Sequence, residues 1–193
     1  MQTVWRKESL DGVPAGAWSG LRASPGRTER QGALLSQWYA AAVELVILIG
    51  LQGAGKSSFY RQRFAGTHVH VSRDEFPRAR NPARRQAEMI DAALAAGRSV
   101  VVDNTNARVA DRAPLIEHGK QWGAEVIGYY FEPDLRLSVA RNRGRSGSQR
   151  VPDVAIFATK KRLAPPSIQE GFDRLYSVKF GPNDEPILST VQQ

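Results

Sequence analysis

Five consecutive β-favouring apolar residues, Leu45-Val46-Ile47-Leu48-Ile49, run directly into Gly50-Leu51-Gln52-Gly53-Ala54-Gly55-Lys56-Ser57. An apolar run without alternation predicts a strand buried on both faces, as in a parallel sheet. The octet satisfies G-x-x-x-x-G-K-[ST] at every fixed position, and a helical stretch from Lys56 to Phe64 follows it. Strand, glycine loop and helix in that order build a phosphate cradle. Gly50, Gly53 and Gly55 let the backbone curl so that several N–H groups point inward. The helix start adds its partial positive charge. Lys56 is placed to reach the β- and γ-phosphates of a nucleotide, and the Ser57 hydroxyl to ligate Mg²⁺. The expected nucleotide-binding set is Gly50, Gln52, Gly53, Ala54, Gly55, Lys56, Ser57 and Ser58, with ATP and Mg²⁺ as cofactors.

Strand-like and helix-like segments alternate after this loop. Val69 to Ser72 reads as a second strand, Pro82 to Ala96 as a helix closed by Gly97, and Ser99 to Asp103 as a third strand. Arg108 to Trp122 reads as a helix despite Pro114, and Ala124 to Phe131 as a fourth strand. Asp134 caps a helix to Asn142, Asp153 to Leu163 forms another, and Arg174 to Phe180 supplies a last strand. Strands separated by helices imply a mostly parallel sheet covered on both faces, the α/β three-layer sandwich of P-loop NTPases. That domain is expected over residues 39–183, with a C-terminal tail at 184–193. Residues 1–38 are punctuated by Gly12, Pro14, Gly16, Gly20, Pro25, Gly26 and Gly32 and are expected to be an irregular or disordered extension.

Composition narrows the function classes. No cysteine is present among the 193 residues, which excludes disulfides and thiolate metal sites and is compatible with the cytoplasm. The apolar run from Ala40 to Leu51 contains Glu44 and falls short of the roughly 20 residues a transmembrane helix needs, so no membrane association is expected. The formal charge is +8. Most of it sits between Leu135 and Arg162, where eight basic side chains face Asp153 alone. A second cluster, Arg78, Arg80, Arg84 and Arg85, encloses no acid. Charge concentrated in this way favours a polyanionic ligand over a merely solvated surface.

A phosphate loop identifies a nucleotide but no reaction, so the carboxyl ends of the neighbouring strands decide. Ligands of open α/β sheets bind there. Val69-His70-Val71-Ser72-Arg73-Asp74 ends in a carboxylate able to take the proton from an attacking hydroxyl. Asp103-Asn104-Thr105-Asn106 ends the third strand with a second carboxylate, suited to a Mg²⁺-bound water or the Ser57 hydroxyl, and with two amides. Each could equally be a cap or an Asx-turn. Arg141-Asn142-Arg143-Gly144-Arg145 opens a Gly/Ser/Arg loop, the composition of an arginine-rich lid closing over phosphates.

Together these segments resemble the kinase domain of polynucleotide 5′-kinases, in phage and in mammalian kinase-phosphatase repair enzymes. The resemblance runs from about Val46 to Phe180. It rests on Gly53-Ala54-Gly55-Lys56-Ser57-Ser58-Phe59, Val69 to Asp74, Asp103 to Asn106, Ala140-Arg141-Asn142, Val151-Pro152-Asp153 and Gln169-Glu170-Gly171-Phe172. It implies that Asp74 activates a 5′-hydroxyl, that Lys56 and Arg145 hold the transferring phosphate, and that Ser57 and Asp103 serve the metal. Arg141 would help hold the nucleotide. Arg73, Arg112 and Asn106 fall near positions suited to the acceptor strand. The phage enzyme has an arginine three residues after the catalytic aspartate; Pro77 stands there, so Arg78 or Arg80 would have to substitute. No haloacid-type phosphatase motif occurs, so 5′-kinase activity on DNA or RNA without 3′-phosphatase activity is implied. Two other readings fit the same loop: a kinase of small molecules or nucleotide sugars, similar to zeta toxins, and an ATP-binding protein without transfer activity.

Overall fold

A computed structural model describes residues 43–191 of the chain. The extension at 1–38 lies outside the described residues. Six strands form one sheet: β1 Glu44–Ile49, β2 Val69–Val71, β3 Val100–Asp103, β4 Glu125–Phe131, β5 Arg174–Phe180 and β6 Pro186–Thr190. Their order is β2-β3-β1-β4-β5-β6, parallel throughout except for β6, which runs antiparallel to β5. The helices are α1 Lys56–Arg63, α2 Pro82–Ala95, α3 Val109–Gln121, α4 Leu135–Arg143 and α5 Asp153–Arg162.

β1 is the centre, paired with β3 on one side and β4 on the other. All of Leu45 to Ile49 is fully buried, as the unbroken apolar run requires. Leu45, Ile47 and Ile49 meet Ile90 and Leu94 of α2 and Leu115 and Ile116 of α3. Val46 and Leu48 meet Phe59 of α1 and Ile156 of α5 on the opposite face. The pleat therefore distributes one strand between two cores, giving three layers. Among the described residues no helix is long and apolar enough to cross a membrane.

The helix starts follow from local chemistry. Asn81 accepts from the Arg84 N–H at 3.0 Å with Pro82 beginning α2, and Asp134 accepts from the Leu137 N–H at 2.8 Å before α4. Pro114 lies inside α3 without ending it.

The C-terminal stretch corrects the expected tail at 184–193. β6 pairs with β5 from Phe180↔Pro186 to Tyr176↔Thr190, across a turn at Gly181–Glu185. The resulting hairpin puts its turn beside the phosphate loop. Because β1, β2 and β3 are parallel, the loop after β1, Ser72 after β2 and Asp103 on β3 gather at one carboxyl edge.

Candidate active site

The loop after β1 has the backbone that its glycines allow. Gly53 has φ 76° and Gly55 φ 97°, the left-handed region. A Cβ on Gly53 would run into the Ser138 carbonyl, and one on Gly55 would stand 2.6 Å from the Phe180 ring. The α4 helix and the β5–β6 hairpin thus hold the loop from outside, leaving its inner side to a ligand. Lys56 is buried, and its Nζ donates to the carbonyls of Gly50 at 3.0 Å and Leu51 at 2.7 Å. Burial pulls the ammonium down to about 8; Asp103 and Asp74 oppose the shift, and Arg145 adds to it. The Gln52 side chain does not join the phosphate site. It donates to Thr159 of α5 at 3.1 Å and so fastens the loop to that helix.

A cleft of about 1110 Å³ opens over the loop. Gly53, Gly55, Ser57 and Ser58 form its floor, Arg73, Asp74 and Asp103 one wall, and Arg141 and Arg145 another. Asp74 stands on a 3-10 turn, Arg73–Glu75, whose start is capped by Ser72 Oγ accepting from the Asp74 N–H at 3.4 Å. A polar brace keeps this turn in place. Asn104 Oδ1 accepts from the Arg73 N–H at 3.0 Å, and Gln86 Oε1 accepts from Arg73 Nε at 3.0 Å and Asn104 Nδ2 at 2.8 Å. The Arg73 guanidinium is therefore partly committed to the brace.

Asp103 is buried and lies 3.3 Å from His70 Nε2; the other ring nitrogen of His70 bonds Glu75, and its ring lies over Tyr60 at 4.2 Å. Burial would raise the Asp103 carboxyl, but His70, the Lys56 charge and Ser57 outweigh it and hold it below the usual carboxylate range. The bond from Asp103 likewise raises His70 above its ordinary value, against burial and with help from Glu75. The strand motif by itself assigns His70 no role. Its register partner on β3 is Val101, two residues before Asp103 on the same sheet face, and that diagonal period-2 relation is the signal for the contact. The pairing Ser57 with Asp103 supplies hard oxygen donors beside a phosphate cradle, which fits Mg²⁺.

The lid segment is closed at its base by Asn142. This fully buried amide donates to the Val151 carbonyl at 2.7 Å and to Asp153 at 3.2 Å, and accepts from the Val151 N–H at 3.1 Å. Arg143 adds an ion pair to Asp153 at 3.0 Å. The two segments around Asn142 and Asp153 are thus the two ends of one loop, from which Arg145 projects into the cleft. Arg141 lies 4.4 Å above the Phe180 ring, pairs with Asp184 of the hairpin turn, and keeps one buried nitrogen without a partner. Phe180 and Asp184 escaped the sequence reading because both belong to the hairpin taken as a strand end and a tail.

Three expected acceptor residues lie elsewhere. Arg112 is fully buried: its guanidinium grips Glu170 with two bonds of 2.6 Å and donates to the carbonyls of Asn106, Ala107 and Ala164. Each of its three nitrogens is engaged inside the protein and none of the side chain reaches solvent, so it does not face a phosphate. Asn106 is also buried, in the left-handed region at φ 44°, with its amide on the Leu48 carbonyl at 2.7 Å, so it ties β3's exit to β1. Arg78 lies outside the Asp74 cleft, in an adjoining groove.

Comparison with known proteins gives a consistent picture. The family described as AAA domain matches residues 45–166. A protein of Acanthamoeba polyphaga mimivirus named as a bifunctional polynucleotide phosphatase/kinase is 29% identical over 144 residues, covering 71% of this chain and 33% of that protein. The Schizosaccharomyces pombe bifunctional polynucleotide phosphatase/kinase is 24% identical over 144 residues, 71% of this chain and 34% of its own length. The chain spans about a third of these curated relatives. A fungal RNA kinase crystal structure superposes with a TM-score of 0.57 at 15% identity, over 72% of this chain and 39% of that one, a likeness of fold.

Proposed function

The chain belongs to the AAA domain family; from that premise we propose that it is a P-loop kinase that moves the γ-phosphate of ATP onto a 5′-hydroxyl end of DNA or RNA. The observation that carries the reading is Asp74, held on a braced turn across one cleft from Ser57 and Arg145. A carboxylate at that place has the role of a base for a hydroxyl acceptor.

In this reading the acceptor hydroxyl gives its proton to Asp74 as its oxygen bonds to the γ-phosphorus. The bond from that phosphorus to the β–γ bridging oxygen breaks in line, and ADP leaves. Lys56 and Arg145 face the charge that spreads over the γ-oxygens. The Lys56 ammonium, weakened by burial and by the nearby Arg145 charge, is strengthened beside an anion, so nucleotide binding and lysine protonation reinforce each other. Ser57 and Asp103 would hold Mg²⁺, which draws charge from the β- and γ-phosphate oxygens. Arg141 and Phe180 border the nucleotide end of the cleft.

Purified protein incubated with γ-labelled ATP, Mg²⁺ and 5′-hydroxyl DNA and RNA oligonucleotides tests this directly. Label on an oligonucleotide, absent with Lys56→Ala, supports the reading and ranks DNA against RNA. ATP binding without labelled oligonucleotide rejects it in favour of a small-molecule acceptor. Retention of a 3′-phosphate on a doubly modified oligonucleotide is the expected result for a kinase without phosphatase activity.

A further inference from the structure

β2 stands at one end of the sheet order, and its middle residue, His70, lines the Asp74 cleft. Carboxylates take both of its ring nitrogens. Nδ1 bonds Glu75, the last residue of the 3-10 turn that carries Asp74. Nε2 lies 3.3 Å from Oδ2 of Asp103, at the end of β3. The ring itself packs on Tyr60 of α1, with 4.2 Å between centroids. Among the described residues Glu75 has no cationic partner within 4.0 Å other than His70. The exit of β3 thus grips the Asp74 turn at both ends. Asn104 holds it directly at Arg73, with Gln86 as a brace, and Asp103 holds it at Glu75 through the imidazole. Asp74 lies between the two grips. Asp103 gains from the same contact, because an aspartate carboxylate turns broadly about its last torsion unless a partner fixes it. A ring nitrogen on Oδ2 sets its plane and leaves the other oxygen free of that bond.

We propose that His70 is a positioning residue that ties the carboxylate on the metal side to the turn bearing the acceptor base. The proposal rests on the kinase reading of the cleft, from which Asp74 and Asp103 take their tasks. A histidine serving β2 alone has no use for two carboxylates from two different elements. His70 touches no reacting atom and acts through its neighbours. Its nitrogens therefore have separable tasks: Nε2 sets the response to Mg²⁺ through Asp103, and Nδ1 sets the rigidity of the Asp74 turn through Glu75. Removing an outer partner of this kind changes metal affinity or activity by about 10–100-fold.

Amide side chains separate the two tasks. Asn places its amide near the position of Nδ1, and Gln near that of Nε2. His70→Asn keeps a donor toward Glu75 and loses the one toward Asp103, and His70→Gln does the reverse. His70→Phe keeps a ring on Tyr60 and loses both. Two readouts follow the variants without any transfer. Calorimetric titration of ATP in EDTA and in Mg²⁺ gives the factor by which the metal raises ATP affinity. Hydrogen exchange read by mass spectrometry across Arg73–Glu75 gives the protection of the turn. His70→Asn should lower the metal factor by about tenfold, with ATP affinity in EDTA and the turn's protection near wild type. His70→Gln should keep the metal factor and lose protection by about 5- to 10-fold, the worth of one hydrogen bond. His70→Phe should show both losses. Glu75→Ala, on an exposed side chain with His70 intact, should show only the second. A metal factor in His70→Asn equal to wild type, or unaltered protection in Glu75→Ala, would overturn the proposal. So would Asn and Gln variants that lose both properties together, which is the mark of a residue that only supports β2. If the wild type phosphorylates no oligonucleotide while the Asn and Gln variants still separate the readouts, the link stands and the end-kinase reading falls.

Discussion

Replacing Arg112 separates a structural role from a substrate role more sharply than any other single change. In the fold its guanidinium bridges α3 to the 3-10 turn Ile168–Glu170 through Glu170 and reaches the carbonyls of Asn106, Ala107 and Ala164. Arg112→Met keeps much of the volume and removes every donor. Glu170 is then left nearly buried, with a charge that only the Ser167 N–H addresses. Breaking a buried pair from one side typically costs about 3–5 kcal/mol. The three carbonyls keep the loss toward the upper part of that range, since each orphaned buried group adds to it. A domain of ordinary stability, about 5–15 kcal/mol, loses a large share of its margin. Urea unfolding followed by far-UV circular dichroism reads this as a lowered midpoint. Arg112→Met/Glu170→Met should recover about 2 kcal/mol or more relative to the sum of the single changes, because no lone charge remains. A loss under about 1 kcal/mol together with a raised KM for the acceptor would refute the burial argument and return Arg112 to the substrate.

Three further outcomes test the site. Asp74→Asn should lower kcat by about 10²–10⁴-fold, the worth of a positioned base, with nucleotide affinity by calorimetry nearly unaltered; activity close to wild type would place the base elsewhere. Gly53→Ala forces a Cβ toward the Ser138 carbonyl at φ 76°. Strain of about 1–3 kcal/mol should then weaken ATP binding by tenfold or more while far-UV circular dichroism stays native. Asn142→Ala removes the clamp at the base of the lid, at about 1–3 kcal/mol for the groups left unpaired, and should speed tryptic cleavage between Arg143 and Arg150 and raise the KM for ATP.

How far the sequence carries is clearest at the two edges of the sheet. Leu45 to Ile49 needed no context, because a strand buried on both faces writes itself as an unbroken apolar run. The helix bounds came within a residue or two for the same reason: caps such as Asn81 and Asp134 act locally. Pro186-Ile187-Leu188-Ser189-Thr190 carries no such signature. An edge strand pairs on one side only, so β6 begins with Pro186 and leaves Ile187 exposed. The usable clue was the turn chemistry of Gly181-Pro182-Asn183-Asp184 between two β-capable stretches. Reading it would have brought Phe180 and Asp184 to the loop that the hairpin walls.

The arginines show where residue type ceases to inform. Arg112 sits at i to Leu115 at i+3, Ile116 at i+4 and Gly119 at i+7, and all four are buried. Helical spacing therefore already placed its side chain on the core face of α3, and a buried arginine needs a buried carboxylate, which Glu170 supplies. Arg145 and Arg78 lie in loop segments with no such apolar stripe, and they face the cleft and the adjoining groove. Periodicity thus sorts arginines that hold the fold from arginines free to meet phosphate, provided it is applied to charged residues as strictly as to apolar ones. The two classes are mechanically joined at one place. By gripping the carbonyls of Asn106 and Ala107, Arg112 fixes the segment that leaves β3, and Asp103 is the last residue of that strand. The buried arginine thereby acts on Asp103, the carboxylate proposed for Mg²⁺, without touching a ligand, which is how a change at a core position can lower activity before it unfolds the domain.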